Sequence, residues 1–374
     1  MTIEKNLLRI TPLIEANIAA MQNQRRMSPE IATALSHAGS FQMLVPKAVG
    51  GLECDPKEII QHIEAIAKID ASVAWCVMIG ATSALYSAYL PGELARSIYG
   101  TSLSITGGVF APMGQAVFSG DHYVVNGHWR WASGSQNCTW LSGGCIVAEN
   151  GIPNQRAMIF PAKDAELIDT WHTMGLRGTG SGDMKVTNLR VPKELSVSLL
   201  TDKPFATGPL YVFPAFGLLA MGIAAVACGN ALAALADFKD EGATLKTGGA
   251  RKSLSERATV QVEFAQITAE LRAARAFMFD ELNQAWHSAQ TNGRISLEER
   301  AGLRLAATHL TRVAATSCRR IHELTGGIAV FSGNKLERRL RDAQTITAHM
   351  MIAFPTYELT GKILLGMSSN EPLC

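Results

Sequence analysis

His122-Tyr-Val-Val-Asn-Gly-His-Trp-Arg-Trp131 reads as two short runs of β-formers on either side of Asn126-Gly127. That dipeptide is the strongest short signal for a two-residue hairpin. The stretch predicts a hairpin, and its surroundings keep the same period of two. The apolar run Cys145-Ile-Val-Ala148 precedes a second Asn-Gly, Asn150-Gly151, and Met184 to Val191 alternates as a further strand. No long helix fits between residues 101 and 200, so this span is expected to be a small antiparallel β domain.

Outward from it the rhythm is helical. Leu7, Ile10, Leu13, Ile14, Ile18 and Met21 recur at helical spacing, and Ser28-Pro29 offers an N-cap with proline at the first helical position, with Gly39 placed to stop that helix. Asp55-Pro56-Lys57-Glu58 repeats the start signal ahead of Ile59, Ile60, Ile63 and Ile66. On the C-terminal side, Val260, Phe264, Ile267, Leu271, Ala274, Met278, Leu282 and Ala285 trace one long helix with a continuous seam. Ser296-Leu-Glu-Glu299 is a capping box opening the next helix, which runs to Gly326-Gly327. A third helix starts near Leu336, and Pro355 interrupts the chain before a last one. The expected class is α+β, predominantly α, with domains at 1–100 (helical), 101–200 (β) and 201–374 (helical). Seams of this length often continue into a partner subunit, so an oligomer is expected.

Composition excludes several classes. Apolar residues make up 47% and charged residues 18%, which suits a globular chain with much buried surface. A net charge of +2 gives no reason to expect nucleic acid or a charged membrane as partner. From Pro204 to Ala236 there is no charge, long enough to span a bilayer, but Pro209, Pro214 and the Ala/Gly content fit a buried core helix. Seven scattered cysteines without C-x-x-C spacing read as buried cytosolic thiols. Glu4 and Lys5 sit where an export signal needs an apolar core, so a soluble cytoplasmic protein is expected. The nine histidines show no metal-ligand spacing, and hydrolase elbows and P-loops are missing. Gly178-Thr-Gly-Ser-Gly182 imitates a dinucleotide fingerprint, yet it leads into the strand Met184–Val191 rather than a helix. It reads as a tight β turn, and a nicotinamide site is not expected.

The α–β–α order, Trp131-Ala-Ser133-Gly, Met174-Gly-Leu-Arg-Gly-Thr-Gly-Ser181, Val191-Pro192, Leu324-Thr-Gly-Gly327 and Arg341-Asp342-Ala343 together resemble the acyl-CoA dehydrogenase superfamily, in register from about residue 20 to 365. The resemblance implies an N-terminal helical domain, a central antiparallel β domain and a C-terminal four-helix bundle that carries oligomerisation and flavin binding, usually in a homotetramer. Trp-Ala-Ser-Gly-Ser, Gly-Leu-Arg-Gly-Thr-Gly-Ser and a histidine after Arg-Asp resemble one branch, the two-component monooxygenases that use reduced flavin.

The catalytic base separates the branches. A dehydrogenase removes an α-proton from an acyl thioester with a glutamate. In register, one family position for that glutamate is Met350, preceded by His349. The other lies on the first helix of the C-terminal domain, and no carboxylate occurs between Lys203 and Asp237. Glu358 is the only nearby acid. The expected function is therefore the oxygenase component of a two-component flavin monooxygenase. It would oxygenate a small phenolic or indolic substrate with FADH2 or FMNH2 and O2 through a flavin C4a-hydroperoxide. A separate NAD(P)H-dependent reductase would supply the flavin. An acyl-CoA dehydrogenase using FAD and an electron-transfer flavoprotein is the alternative, and a scaffold relative that has lost its site a further one.

By resemblance, Ser133 faces the flavin N5 edge with Trp131 beside the ring, and Phe110 and Ala111 line the same cleft. Arg251 and Ser253 sit where the family binds flavin phosphate. Gly326 and Gly327 permit close backbone approach to a cofactor and equally stop a helix. His349 is the candidate for holding the peroxide or polarising a substrate hydroxyl, with Ser133 as the second catalytic candidate. Trp75, Tyr86 and Tyr89 are candidates for the substrate wall, although a helical core explains them as well.

Overall fold

The computed structural model describes residues 3–149, 152–246 and 251–367. They gather into two compact units, each discontinuous in sequence. The first holds the chain to Asp55, Trp75–His172 and Arg177–Tyr211; the second holds Pro56–Ala74, Thr173–Leu176 and the chain from Val212.

In the first unit, helices α1 (Ile3–Gln24), α2 (Pro29–His37), most of α4 (Ala71–Ser83) and α5 (Gly92–Tyr99) accompany one sheet. The Ser28 hydroxyl caps α2 by accepting from the Ile31 N–H at 3.3 Å, as its sequence predicts. The strands are β1 (Thr106–Ser119), β2 (His122–Trp129), β3 (Trp140–Glu149), β4 (Ile152–Pro161), β5 (Glu166–Ile168), β6 (Asp183–Pro192) and β7 (Ser196–Val197). Their order is β5-β6-β2-β1-β3-β4-β7. The sheet is antiparallel except for β1 and β3, which pair in parallel. That departs from the all-antiparallel expectation, because β2 occupies the opposite edge of β1 and the returning chain enters β3 in the same direction as β1.

The hairpin expected at Asn126-Gly127 is corrected as well. β1 turns into β2 through Gly120-Asp121, with Ser119 paired to His122, and β2 runs straight through Asn126-Gly127. The glycine is there for a different reason. A Cβ at 127 would stand 2.2 Å from the Trp129 ring, and Cβ atoms at Gly114 and Gly143 would come within 2.5 and 2.4 Å of the same ring. Three glycines thus open a slot for a fully buried indole, whose N–H donates to the Gly144 carbonyl at 2.7 Å. The Asn126 carboxamide accepts from the Asn188 N–H of β6 at 2.9 Å, beside a register shift between Val125 and Gly127. Asn150-Gly151 lies outside the described residues; β3 and β4 pair up to Glu149 and Ile152 on either side of it.

The second unit is helical: α3 (Pro56–Ile69), the first turn of α4, α6 (Ala215–Asp237), α7 (Ala258–Asn292), α8 (Leu297–Thr325), α9 (Lys335–Ile346) and α10 (Pro355–Leu364). The charge-free stretch supplies α6. Two helical segments, Ala71–Tyr89 and Ala215–Gly242, are long and apolar enough to cross a membrane, but 83% of each apolar window is buried within the protein. α3 and α6 pack closely at Gly229, where a Cβ would lie 2.3 Å from the Glu64 carbonyl oxygen. Arg339 of α9 joins three helices: it donates to the Lys68 carbonyl at 2.8 Å and the Ala67 carbonyl at 3.4 Å, and pairs with Asp237 at 3.1 Å. These are the last carbonyls of α3, where a cation is favoured. α7 buries Val260, Ile267, Leu271, Ala274, Met278, Leu282 and Ala285 along one seam, and the Ser296–Glu299 capping box opens α8.

Candidate active site

In the first unit, two loops place the Trp131–Ser133 segment. Trp131 has a left-handed backbone (φ +66°) and is 58% exposed. A bulky aromatic holds that conformation only where its surroundings impose it. Here the Ala132 N–H donates to the Gly182 carbonyl and the Gly134 N–H to the Thr179 carbonyl, both at 2.8 Å. The segment is thereby laced to the 179–182 loop, while the indole of Trp131 stands outward.

Ser133, by contrast, is buried, and its hydroxyl joins a side-chain network. The Trp75 Nε1–H donates to Ser133 Oγ at 3.0 Å, Ser133 Oγ lies 2.6 Å from Ser181 Oγ, and Ser181 Oγ lies 2.6 Å from Thr179 Oγ1. All four side chains are buried. Gly178-Thr-Gly-Ser-Gly182 does form a tight turn into β6, with Gly180 at φ +55°. The hydroxyls between its glycines are functional candidates that the sequence reading passed over; their alternation with glycine was the available signal.

Trp75 and Ser133 are therefore brought together. Tyr86 sits in the buried core, and burial pushes its phenol well above the usual range, offset in part by its hydrogen bond with Ser142. Tyr89 is half-buried, its phenol raised by burial and by Asp202. Phe110 and Ala111 fall where the β1–β3 ladder breaks register, between Val109 and Gly114, and the Phe110 carbonyl accepts from Gln155 Nε2 at 2.9 Å.

In the second unit, α9 ends at Ile346 and His349 caps a short 3-10 turn, Met350–Ile352. Its Nδ1 accepts from the Met351 N–H at 3.2 Å, which puts the ring hydrogen of the neutral imidazole on Nε2 and makes that nitrogen a donor. Burial, and then the Arg304 charge, lower its pKa to about 4. Two arginines of α8 grip this segment. Arg304 donates to the Met351 carbonyl at 2.9 Å, and Arg312 to the Thr347 and Ile352 carbonyls at 3.4 and 3.5 Å. Neither was singled out in the sequence, because they lie some 40 residues away on an ordinary helix.

The motifs Met174-Gly-Leu and Arg341-Asp342 meet in this unit. Asp342 Oδ1 accepts from the Leu176 N–H at 2.6 Å, Arg341 donates to the Met174 carbonyl, and a Cβ at Gly175 would stand 2.2 Å from the Arg341 carbonyl oxygen. Met350 is 62% exposed, Glu358 is exposed and paired with Lys362 at 2.6 Å, and α6 carries no carboxylate before Asp237. Arg251 is exposed. Ser253 is engaged in a capping box, its hydroxyl 2.8 Å from Glu256 Oε2. Gly326 (φ +70°) and Gly327 are exposed, with open space where a Cβ would be.

A flavin needs an aromatic or apolar face, polar contacts at the ring edge, and cations or N–H donors at its phosphate. Trp131, Ser133 and Arg251 are side chains of those kinds; Ser253, already bound to a carboxylate, is the poorest match.

The chain matches the family models for the acyl-CoA dehydrogenase N-terminal domain over residues 11–92 and C-terminal domain over residues 221–354. It is 31% identical over 362 residues to indole-3-acetate monooxygenase of Pseudomonas putida, covering 96% of this chain and 91% of that protein. It is 26% identical to the flavin-dependent monooxygenase oxygenase subunit HsaA of Mycobacterium tuberculosis, covering 91% of this chain and 89% of that one. Among solved structures, the 3-HSA hydroxylase of Rhodococcus superposes with a TM-score of 0.91 at 23% identity, over 100% of this chain and 99% of that one. At that identity the superposition establishes the fold.

Proposed function

This chain belongs to the acyl-CoA dehydrogenase superfamily, in its flavin-dependent monooxygenase branch, and from that premise we propose that it is the oxygenase component of a two-component system acting on a small phenolic or indolic compound. The reaction would consume reduced flavin, O2 and substrate, placing one oxygen atom in the product and the other in water. The observation that carries this reading is the near full-length relationship to indole-3-acetate monooxygenase. The lack of a carboxylate at both family base positions supports it, since Glu358 is exposed and tied to Lys362.

Bound reduced flavin supplies the two electrons that activate O2. The chain's own groups would do the rest. Trp131 would cover the ring, with Phe110 and Ala111 lining the cleft and Ser133 meeting the N5 edge. Arg251, Ser253, Gly326 and Gly327 are assigned to the phosphate end. His349 would donate from Nε2 to the reacting oxygen or the substrate hydroxyl, a role supported by its neutral, fixed tautomer. Trp75, Tyr86 and Tyr89 remain assigned to the substrate side, with Trp75 acting through Ser133.

A homotetramer is part of the proposal. Large apolar side chains left exposed in the helical unit support it: Phe331 at 69%, Phe354 at 74% and Leu365 at 80%. None of the six described cysteines is in a disulfide, which suits the cytoplasm.

The decisive test supplies an unrelated flavin reductase with NADH and flavin, offers indole-3-acetate and simple phenols under 18O2, and follows the label. Incorporation of one 18O into product, only when the reductase is present, is the expected result. Turnover by the chain with NADH alone, or bleaching of bound oxidised FAD by acyl-CoA thioesters, would overturn it.

A further inference from the structure

The Thr179–Ser181–Ser133–Trp75 network constrains which way its hydrogens can point. An indole N–H only donates, so Trp75 always takes one lone pair of Ser133 Oγ. Two arrangements let Ser181 accept from one neighbour and donate to the other. In one, Thr179 donates to Ser181 and Ser181 to Ser133; both Ser133 lone pairs are then filled, and its hydrogen is available to donate out of the network. In the other, Ser133 donates to Ser181 and Ser181 to Thr179; Ser133 then has one lone pair open to accept from outside. Rotation of three hydroxyls interconverts them with no heavy atom moving.

A flavin makes the matching pair of demands. Its oxidised form presents N5 as an acceptor, whereas its two-electron-reduced form presents an N5–H donor. We propose that Ser181, Thr179 and Trp75 are positioning residues that make Ser133 a reversible contact, donating to the oxidised flavin and accepting from the reduced one. The inference rests on the reading of Ser133 as the group facing N5. It gives the hydroxyls of the 178–182 glycine run a purpose that a tight turn alone does not require.

The prediction is asymmetric. Without the Ser181 hydroxyl, Ser133 can still donate outward. When it accepts from the reduced flavin, however, its own buried hydrogen loses its acceptor, and an unsatisfied buried donor is costly. Ser181→Ala in the full-length protein should therefore weaken reduced-flavin binding about tenfold, measured anaerobically, and leave oxidised-flavin binding within about twofold. Equivalently, the midpoint potential of bound flavin falls by about 30 mV for a two-electron couple. Ser181→Thr, which keeps the hydroxyl, should restore both values. Should Ser181→Ala fail to fold, Thr179→Val reads the same asymmetry one link along.

Ser133→Ala separates the two layers of the argument. If it leaves both flavin affinities unchanged, Ser133 does not meet the flavin, and the site reading and the relay fall together. If it weakens reduced-flavin binding while Ser181→Ala and Thr179→Val change nothing, Ser133 stands and the relay is overturned. Equal weakening of both redox forms by Ser181→Ala would likewise overturn the relay, leaving only a packing role.

Discussion

His349 illustrates how one backbone hydrogen bond decides chemistry. Because Nδ1 accepts from the Met351 N–H, the ring hydrogen of the neutral imidazole sits on Nε2, and burial, with the Arg304 charge, lowers the pKa to about 4. Nitrogen-15 NMR should therefore report the Nε2–H tautomer at pH 5 to 7, with protonation appearing only near pH 4; a normal titration near 6.5 would remove the basis for the donor role. His349→Ala should keep flavin binding but slow oxygenation about a hundredfold, as when a donor to developing charge is lost. The missing flux should leave as hydrogen peroxide while reduced flavin is still consumed, and unchanged coupling would make the histidine structural. Arg304 acts on the same residue at one remove. Arg304→Met abolishes the bond to the Met351 carbonyl and the nearby charge, so the imidazole pKa should rise. Stability should fall by about 1.5–3 kcal/mol, the range for a hydrogen bond to a charged group, read by denaturant melts.

At the level of elements, what was legible in the sequence was local chemistry. Ser28, Ser296 and the α7 seam announce their helices because caps and a 3.6-residue period act within a few residues. Asn126-Gly127 misled because its glycine answers to the Trp129 ring, which glycines on β1 and β3 also admit, a constraint assembled from three strands. The parallel β1–β3 pairing was hidden for a related reason, since strand order is a property of pairs. Part of the candidate site was legible: Trp131, Ser133 and His349 stand in quotable motifs, whereas Ser181, Thr179 and Arg304 matter through what they touch. The Trp129 slot is testable. Gly127→Ala should cost about 1–3 kcal/mol from overpacking, while Gly92→Ala, with open space around it in the first turn of α5, should be near neutral. Equal effects in chemical denaturation would mean that the slot does not dictate the glycine.

For the whole molecule, three buried groups set a pH response. Burial lowers His62 to about 4, as burial and Arg304 do His349, while burial and the Asp70 charge raise Asp342 to about 6. Between about pH 4 and 6.5 the unfolded chain binds protons at both histidines that the native state refuses, so their contribution to stability falls as pH drops. Asp342 works the other way: the native state holds its proton up to about pH 6, so its contribution is present in acid and is lost as pH rises through 6. Across their overlap, unfolding takes up two protons and releases one. These groups should make stability rise by about 1.4 kcal/mol per pH unit, and Asp342→Asn should roughly double that slope. A variant slope no steeper than wild type would show that Asp342 does not hold its proton. The strand order also bears on aggregation. The two ends of the sheet are β5 and β7, three and two residues long, beside a β6 that ends in Arg190 and Pro192 and a β4 that ends in Pro161. Short rims, prolines and guanidinium groups are poor templates for a neighbouring backbone. In the folded sheet β1, β2 and β3 lie inside the strand order, so a neighbouring chain meets the short rims first and finds little backbone there to extend.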